Sequence, residues 1–301
     1  MHTGRMPDTM GHAAQRPDVP ARRLRFVLAV GLACVLASAC ATAQKRFPTE
    51  RDYPNGVMTR ISEISGGTAR WRISALEAGD HHAPWKAVVI TGTPSWSQYW
   101  APLLAATPQD MTILAPDRPG FAASEPRTAV TDITAQADAL SVFLQTQRPD
   151  QKIVLIGQSY GGPIAALMAR KHPDRVRALV LVSAFFGDRG ATIRRLDMAG
   201  LVAGPLLPRD LKNSLAELRA QAPQLPAAKL ALQGLEIPIV VLHGDADTFV
   251  PYAAGQQLAE LAGPNATFIG VRGGDHFLNA CCVEAVLEAT RRAIGLSDAG
   301  G

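Results

Sequence analysis

Ile153-Val154-Leu155-Ile156-Gly157-Gln158-Ser159-Tyr160-Gly161-Gly162-Pro163 is the stretch on which the reading of this chain turns. Its first four residues are apolar and mostly β-branched, the composition of a buried strand. The residues after it, Pro163 to Lys171, are strong helix formers opened by a proline. Between the two, Gly157-Gln158-Ser159-Tyr160-Gly161 fits the pattern G-x-S-x-G. Two glycines and a serine at that spacing arise by chance in roughly one chain of this length in ten, so the flanks carry the weight. A serine lifted out on a sharp strand-to-helix turn needs glycines around it, because the backbone there is crowded and strained. The competing reading is a glycine-rich turn with a structural serine.

Outward from this stretch the chain alternates. Ala87–Thr91, Thr112–Ala115, Lys152–Gly157, Val176–Ser183, Ile237–His243 and Ala266–Val271 are short apolar runs that read as strands buried on both faces. Helix-length stretches near 96–105, 131–147, 160–171, 252–262 and 282–294 separate most of them. Such alternation predicts an α/β fold, a mostly parallel central sheet flanked by helices. Ser65-Gly66-Gly67 between Arg60–Ile64 and Ala69–Ala75 predicts a hairpin at its antiparallel edge. One interval, about 187–235, is too long for an ordinary connection. Its pieces Ala191–Ala203, Pro208–Ala222 and Pro226–Gln233 read as short helices, so the interval is expected to form a small helical cap.

A serine hydroxyl is a weak nucleophile and needs a base, which in turn needs an orienting acid. His276 lies in Gly273-Gly274-Asp275-His276-Phe277, just past the last strand. Asp247 lies in His243-Gly244-Asp245-Ala246-Asp247-Thr248-Phe249-Val250-Pro251, just past the strand before it. Both stand at strand C-terminal ends, where open α/β sheets bind ligands. His243, His172 and the pair His81-His82 are competing bases, with His243 read as a buried, satisfied histidine. A metal at His81-His82 is disfavoured, because adjacent side chains diverge and no third ligand is near in sequence. Asp188, past the sixth strand, is a competing acid, and Asp275 reads as a solvated loop residue.

These motifs together resemble the α/β-hydrolase fold family, of the serine esterase, lipase and peroxidase type, over about residues 56–295. In that family the acid loop reads G-x-x-D followed shortly by V-P. Gly244-Asp245-Ala246-Asp247 with Val250-Pro251 matches, which assigns the acid to Asp247 rather than Asp245. Ala115-Pro116-Asp117-Arg118-Pro119-Gly120-Phe121 with Ser124 matches a structural signature after the fourth strand. The resemblance implies an oxyanion hole made by two backbone N–H groups, that of Tyr160 and that of Thr93 in Thr91-Gly92-Thr93-Pro94. Thr91 departs from the family's usual histidine there, which leaves open how the loop is braced.

Ser159 excludes the branches of the family with an aspartate nucleophile, leaving acyl transfer to water without a cofactor or metal. Carboxylic ester hydrolysis is the expected reaction. A carbon–carbon bond hydrolase, a cofactor-free peroxidase or a proline-releasing peptidase on the same fold are the alternatives. A non-catalytic exported binding protein is the alternative from another class. Trp96, Tyr99, Trp100, Phe249 and Phe277 stand beside these positions, as do Phe185 and Phe186. They predict a narrow, mostly apolar pocket for a small ester-like substrate, with access set by the cap.

Charge is unevenly placed. The chain holds 30 basic and 26 acidic residues, and residues 1–45 take six of the first (Arg5, Arg16, Arg22, Arg23, Arg25, Lys45) and two of the second (Asp8, Asp18), leaving 24 of each in 46–301. A neutral body without a basic run offers nucleic acid no electrostatic footprint. Arg22, Arg23 and Arg25 precede the apolar run 26–36 and a small-residue stretch Ala37-Ser38-Ala39-Cys40-Ala41-Thr42-Ala43. That is the pattern of an export signal over 1–43, with the run too short for a spanning helix of about 20 residues. Cys40 is a candidate for lipidation and a membrane anchor, in competition with cleavage after Ala39 or Ala43. Arg22-Arg23 admits a twin-arginine reading, and Met6 or Met10 an alternative start. Residues 44–56 then read as a linker, 57–295 as the domain and 296–301 as a flexible tail. Cys281 and Cys282 are expected to be structural.

Overall fold

The computed structural model describes residues 1, 48–66, 69–145, 148–196 and 206–300. Residues 2–43 of the expected export signal, Cys40 among them, lie outside the described residues. Among those described, no helix is long and apolar enough to cross a membrane.

An eight-stranded sheet forms the centre, with strands β1 (Thr59–Ile64), β2 (Arg72–Gly79), β3 (Trp85–Ile90), β4 (Met111–Pro116), β5 (Lys152–Gln158), β6 (Val176–Val182), β7 (Ile239–Gly244) and β8 (Ala266–Val271). Their spatial order is β1-β2-β4-β3-β5-β6-β7-β8. β1 and β2 pair antiparallel, β2 also pairs antiparallel with β4, and every later pairing is parallel. The expected hairpin is present, but its second strand begins at Arg72 instead of Ala69. Ser65 explains the shift: its N–H donates to the Trp71 carbonyl (2.8 Å) and its hydroxyl accepts from the Trp71 N–H (2.9 Å), which closes the turn later.

The strands β3 to β7 are almost wholly buried, as their unbroken apolar runs require, whereas the edge strand β8 is half-exposed. Helices α1 (Ala101–Ala105), α2 (Ile133–Leu140), α3 (Gly161–Lys171), α4 (Arg209–Ala220), α5 (Leu225–Gln233), α6 (Tyr252–Ala262) and α7 (Val283–Gly300) surround it. One face packs Ala137, Ile164, Leu232 and Leu258 of α2, α3, α5 and α6, and the other Leu103, Val286 and Ala289 of α1 and α7. After β3 the chain crosses to β4 on one side and later to β5 on the other. That places a switch of direction between β3 and β5, where open α/β sheets form their crevice.

Several expected boundaries change. α5, expected as part of the cap, packs with α3 and α6 in the layer covering the sheet, with Ala228 and Leu232 fully buried. The cap is therefore the earlier part of the interval, with helical turns at 191–196 and α4; residues 197–203 of the expected Ala191–Ala203 helix lie outside the described residues. The expected tail is not separate, because α7 continues to Gly300 and Asp298 pairs with Lys152 of β5. The expected linker is partly docked: Glu50 pairs with Arg60 of β1 (2.7 Å) and accepts from Gln98 (3.2 Å).

Candidate active site

Ser159 follows β5 directly and has φ +49°, in the left-handed region that costs a non-glycine residue about 1–3 kcal/mol. The turn is held from several sides. Ser159 N–H donates to the Val182 carbonyl (3.0 Å), and its carbonyl accepts from Gly162 (3.0 Å) and Phe185 (2.9 Å). The flanking glycines are required by contact. A Cβ on Gly157 would come within 2.8 Å of the Ala165 methyl, and one on Gly161 would run into the Ile90 carbonyl of β3. The two outer positions of G-x-S-x-G thus let α3 and β3 close onto the turn.

The structure brings the three sequence-predicted residues into one chain of contacts. His276 Nε2 lies 3.0 Å from Ser159 Oγ, and His276 Nδ1 lies 2.7 Å from Asp247 Oδ2. A carboxylate only accepts, so Nδ1 carries the proton and Nε2 is free to take the serine's. All three side chains are almost buried. Asp247 Oδ1 accepts from the N–H groups of Phe249 (2.8 Å) and Val250 (2.9 Å). His243, the competing base, is fully buried with Nε2 3.3 Å from Asp247 Oδ2 and 3.1 Å from the Val250 carbonyl, and does not reach Ser159. Burial pushes the Asp247 carboxyl up, but the hydrogen bonds from His243 and His276, with the Val250 amide, hold it well below the usual carboxylate range.

The competing candidates lie elsewhere. Asp245 is exposed and accepts from Gly273 N–H, Asp275 accepts from Phe277 N–H, and Asp188 is exposed beside Lys229. His172 contacts Ser141 (2.9 Å) and His81 pairs with Glu77 (3.4 Å).

Thr93 and Tyr160 stand where β3 and α3 meet the serine turn, and among the described residues neither backbone N–H donates to a protein acceptor. Thr91, which replaces the family's histidine, is fully buried and donates to the Ser95 carbonyl (3.2 Å), closing the loop on itself. Gly92 is held on both sides: its N–H donates to Gln158 Oε1 (2.9 Å) and its carbonyl accepts from Arg118 Nη2 (2.8 Å). The resemblance marked Arg118 only as part of a structural signature, and nothing in the sequence singled out its partner Glu217, 99 positions away on α4.

The aromatic residues separate into two groups. Phe249 stacks on the His276 ring (centroids 4.8 Å apart, 16° between planes), and Phe277 meets both rings edge-on at 5.3 and 5.4 Å. These two lie against His276. Trp100 does not: it is fully buried in the core between the sheet, α1 and α7. Phe185 and Phe186 are likewise core. Trp96 packs on Tyr99 (4.6 Å) and lines a concavity of about 370 Å³ with Glu50, Arg60 and Asp117, a charged setting instead of an apolar pocket. Cys281 and Cys282 are bridged to each other in the turn after Phe277.

A family model described as alpha/beta hydrolase fold matches residues 88–205. A lipase of Mycobacterium tuberculosis is 32% identical over 40% of this chain and 45% of its own length. A pimeloyl-[acyl-carrier protein] methyl ester esterase of Aromatoleum aromaticum is 27% identical over 57% of this chain and 83% of its own. The chain spans less than half the length of the first curated relatives it matches, 13% and 45%. Among solved structures, a thermophilic esterase from Thermogutta terrifontis superposes with a TM-score of 0.62 at 20% identity, covering 78% of this chain and 99% of that one. Sheet order, serine turn and the match over residues 88–205 agree that the chain has the α/β-hydrolase fold.

Proposed function

We propose that the protein is an exported serine hydrolase of carboxylic esters that works through an acyl-enzyme. The observation that carries this reading is the unbroken contact from Ser159 Oγ through His276 to Asp247, at 3.0 and 2.7 Å, on a serine held at positive φ. Ser159 Oγ attacks the ester carbonyl carbon while its proton passes to His276 Nε2. The N–H groups of Thr93 and Tyr160 receive the charge that builds on the carbonyl oxygen. When the C–O bond breaks, His276 gives that proton to the departing alkoxide. A water then repeats the sequence on the acyl-enzyme and releases the acid. Asp247 keeps the histidine in the required tautomer throughout.

Phe249 and Phe277 beside His276 favour an apolar acyl group, and the burial of Ser159 and His276 favours a small one. Each methylene buried there adds about 0.8 kcal/mol, so kcat/KM rises with acyl length until the chain meets the cap. Export rests on the pattern of residues 1–43, with Cys40 offering attachment to the membrane. The experiment is a panel of p-nitrophenyl esters of increasing acyl length, run beside fluorophosphonate labelling. Short-to-medium acyl esters should be the best substrates, and Ser159→Ala should abolish both labelling and turnover. An unlabelled wild type would make the chain a binding protein, and a preference for long-chain lipid or charged peptide would overturn the substrate class.

A further inference from the structure

Arg118 and Glu217 are both fully buried, and their side chains meet fork to fork: Nη1 to Oε1 at 2.6 Å and Nη2 to Oε2 at 3.0 Å. Gln136 of α2 completes the cluster, accepting from Arg118 Nη1 (2.6 Å) and donating to Glu217 Oε1 (2.7 Å). The guanidinium lies over the rings of Phe121 (4.6 Å) and Tyr160 (4.9 Å). Its remaining contact is the Gly92 carbonyl, at 2.8 Å.

That carbonyl belongs to the same peptide unit as the Thr93 N–H. The Gly92–Thr93 bond is not among the cis bonds of the described chain, so its C=O and N–H point in opposite directions within one plane. A donor that grips the oxygen therefore aims the N–H. The grip is charge-assisted, which strengthens it and polarises the amide toward donating. Gln158, one residue before the nucleophile, fixes the peptide on the other side of Gly92. The same guanidinium thus sets the peptide plane of one oxyanion donor and packs on the side chain of the residue that supplies the other, Tyr160.

We propose that Arg118 is a positioning residue for the Thr93 oxyanion donor, and that Glu217 of the cap helix α4 holds it there. Docking of α4 and assembly of the oxyanion hole are then one event, because the cation that aims the donor is neutralised by the cap. This rests on the ester-hydrolase reading above. A purely structural ion pair would change stability alone. A positioning role changes the rate of the chemical step while leaving ground-state binding in place.

The test replaces both charges together, as Arg118→Met with Glu217→Met, so that no uncompensated charge stays buried. For a variant that unfolds cooperatively, kcat should fall roughly 10- to 100-fold, approaching the loss of an oxyanion donor. KM should stay within about threefold, and a trifluoromethyl ketone inhibitor should weaken by the same factor as kcat. A folded double variant with wild-type kcat overturns the proposal. Should the double variant fail to fold, Arg118→Lys decides. One ammonium cannot grip the Gly92 carbonyl and both Glu217 oxygens, so its kcat should fall, and an unchanged value overturns the proposal. Fluorophosphonate labelling rates separate the two readings. A wild type that labels but hydrolyses no ester overturns the substrate class, and the labelling ratio of variant to wild type still measures Arg118. Equal labelling rates overturn its role.

Discussion

At the scale of single residues, the site is a set of strained or buried groups that make sense only together. Asp247 spends one oxygen on two backbone N–H groups and shares the other between His276 and His243. Asp247→Asn keeps the shape but offers His276 an amide, which favours the wrong tautomer, so kcat should drop by about 10⁴. Asp245→Asn and Asp188→Asn should stay within a few-fold by the same assay, and the reverse ranking would move the acid. The same residue predicts a pH effect. Burial raises its carboxyl, but the hydrogen bonds from both histidines win and the folded value lies below the unfolded one. A depressed carboxylate stabilises the fold above its unfolded pKa, near 4, and that contribution is lost as pH falls through this value toward the folded one. Below about pH 4 the wild-type melting temperature should therefore fall more steeply than that of Asp247→Asn. Parallel curves would count against the ionised, hydrogen-bonded acid.

At the scale of elements, the interval between β6 and β7 divides by what each helix buries. α4 is mostly polar and sends Asn213 and Glu217 inward, to the Gly120 carbonyl and to Arg118. α5 instead buries Leu225, Ala228 and Leu232 against the layer formed with α3 and α6. Pro226–Gln233 was expected in the cap because its short apolar pattern looks the same whichever partner it meets. The assignment has a measurable consequence. Leu232→Ala should cost about 2–5 kcal/mol in unfolding free energy, the range for a fully buried leucine. The order of preference across the ester panel should be unchanged, since Leu232 is buried in the layer that α5 forms with α3 and α6. A variant of normal stability with altered acyl preference would return α5 to the cap.

At the scale of the whole molecule, the charge asymmetry divides a basic first 45 residues from a neutral remainder. Among the described residues, the partners of Ser159, His276, Asp247 and the Gly92–Thr93 peptide named above all lie between Gly92 and His276, so a chain beginning at residue 44 should be soluble and fully active. It should also keep the Glu50–Arg60 pair, a partly exposed contact worth at most about 1 kcal/mol. If Cys40 carries a lipid, the chain from residue 1, expressed in an exporting host, should fractionate with membranes, and Cys40→Ser should release it. Retention of the serine variant in the membrane fraction would argue against lipid attachment at Cys40.

The strand periodicity, the serine turn and the order of serine, acid and base were legible from residues alone. Each is a local signal: a run of β-branched residues, a pair of glycines around a strained turn, an Asp or His just past a strand. Even the choice of Asp247 over Asp245 followed from spacing within one loop matched to a family pattern. What the chain order does not carry is which distant side chains share a buried space. Trp100 lies four residues after half-buried Trp96, yet the helical turn Ser97–Trp100 that leads into α1 places it in the core. Arg118 and Glu217 meet across 99 positions, because a buried charge needs its partner in space and the sequence records only separation along the chain. The hold of Arg118 on the Gly92 carbonyl was therefore decided by tertiary packing, which alone brings α4, α2 and the loop after β3 to the same guanidinium.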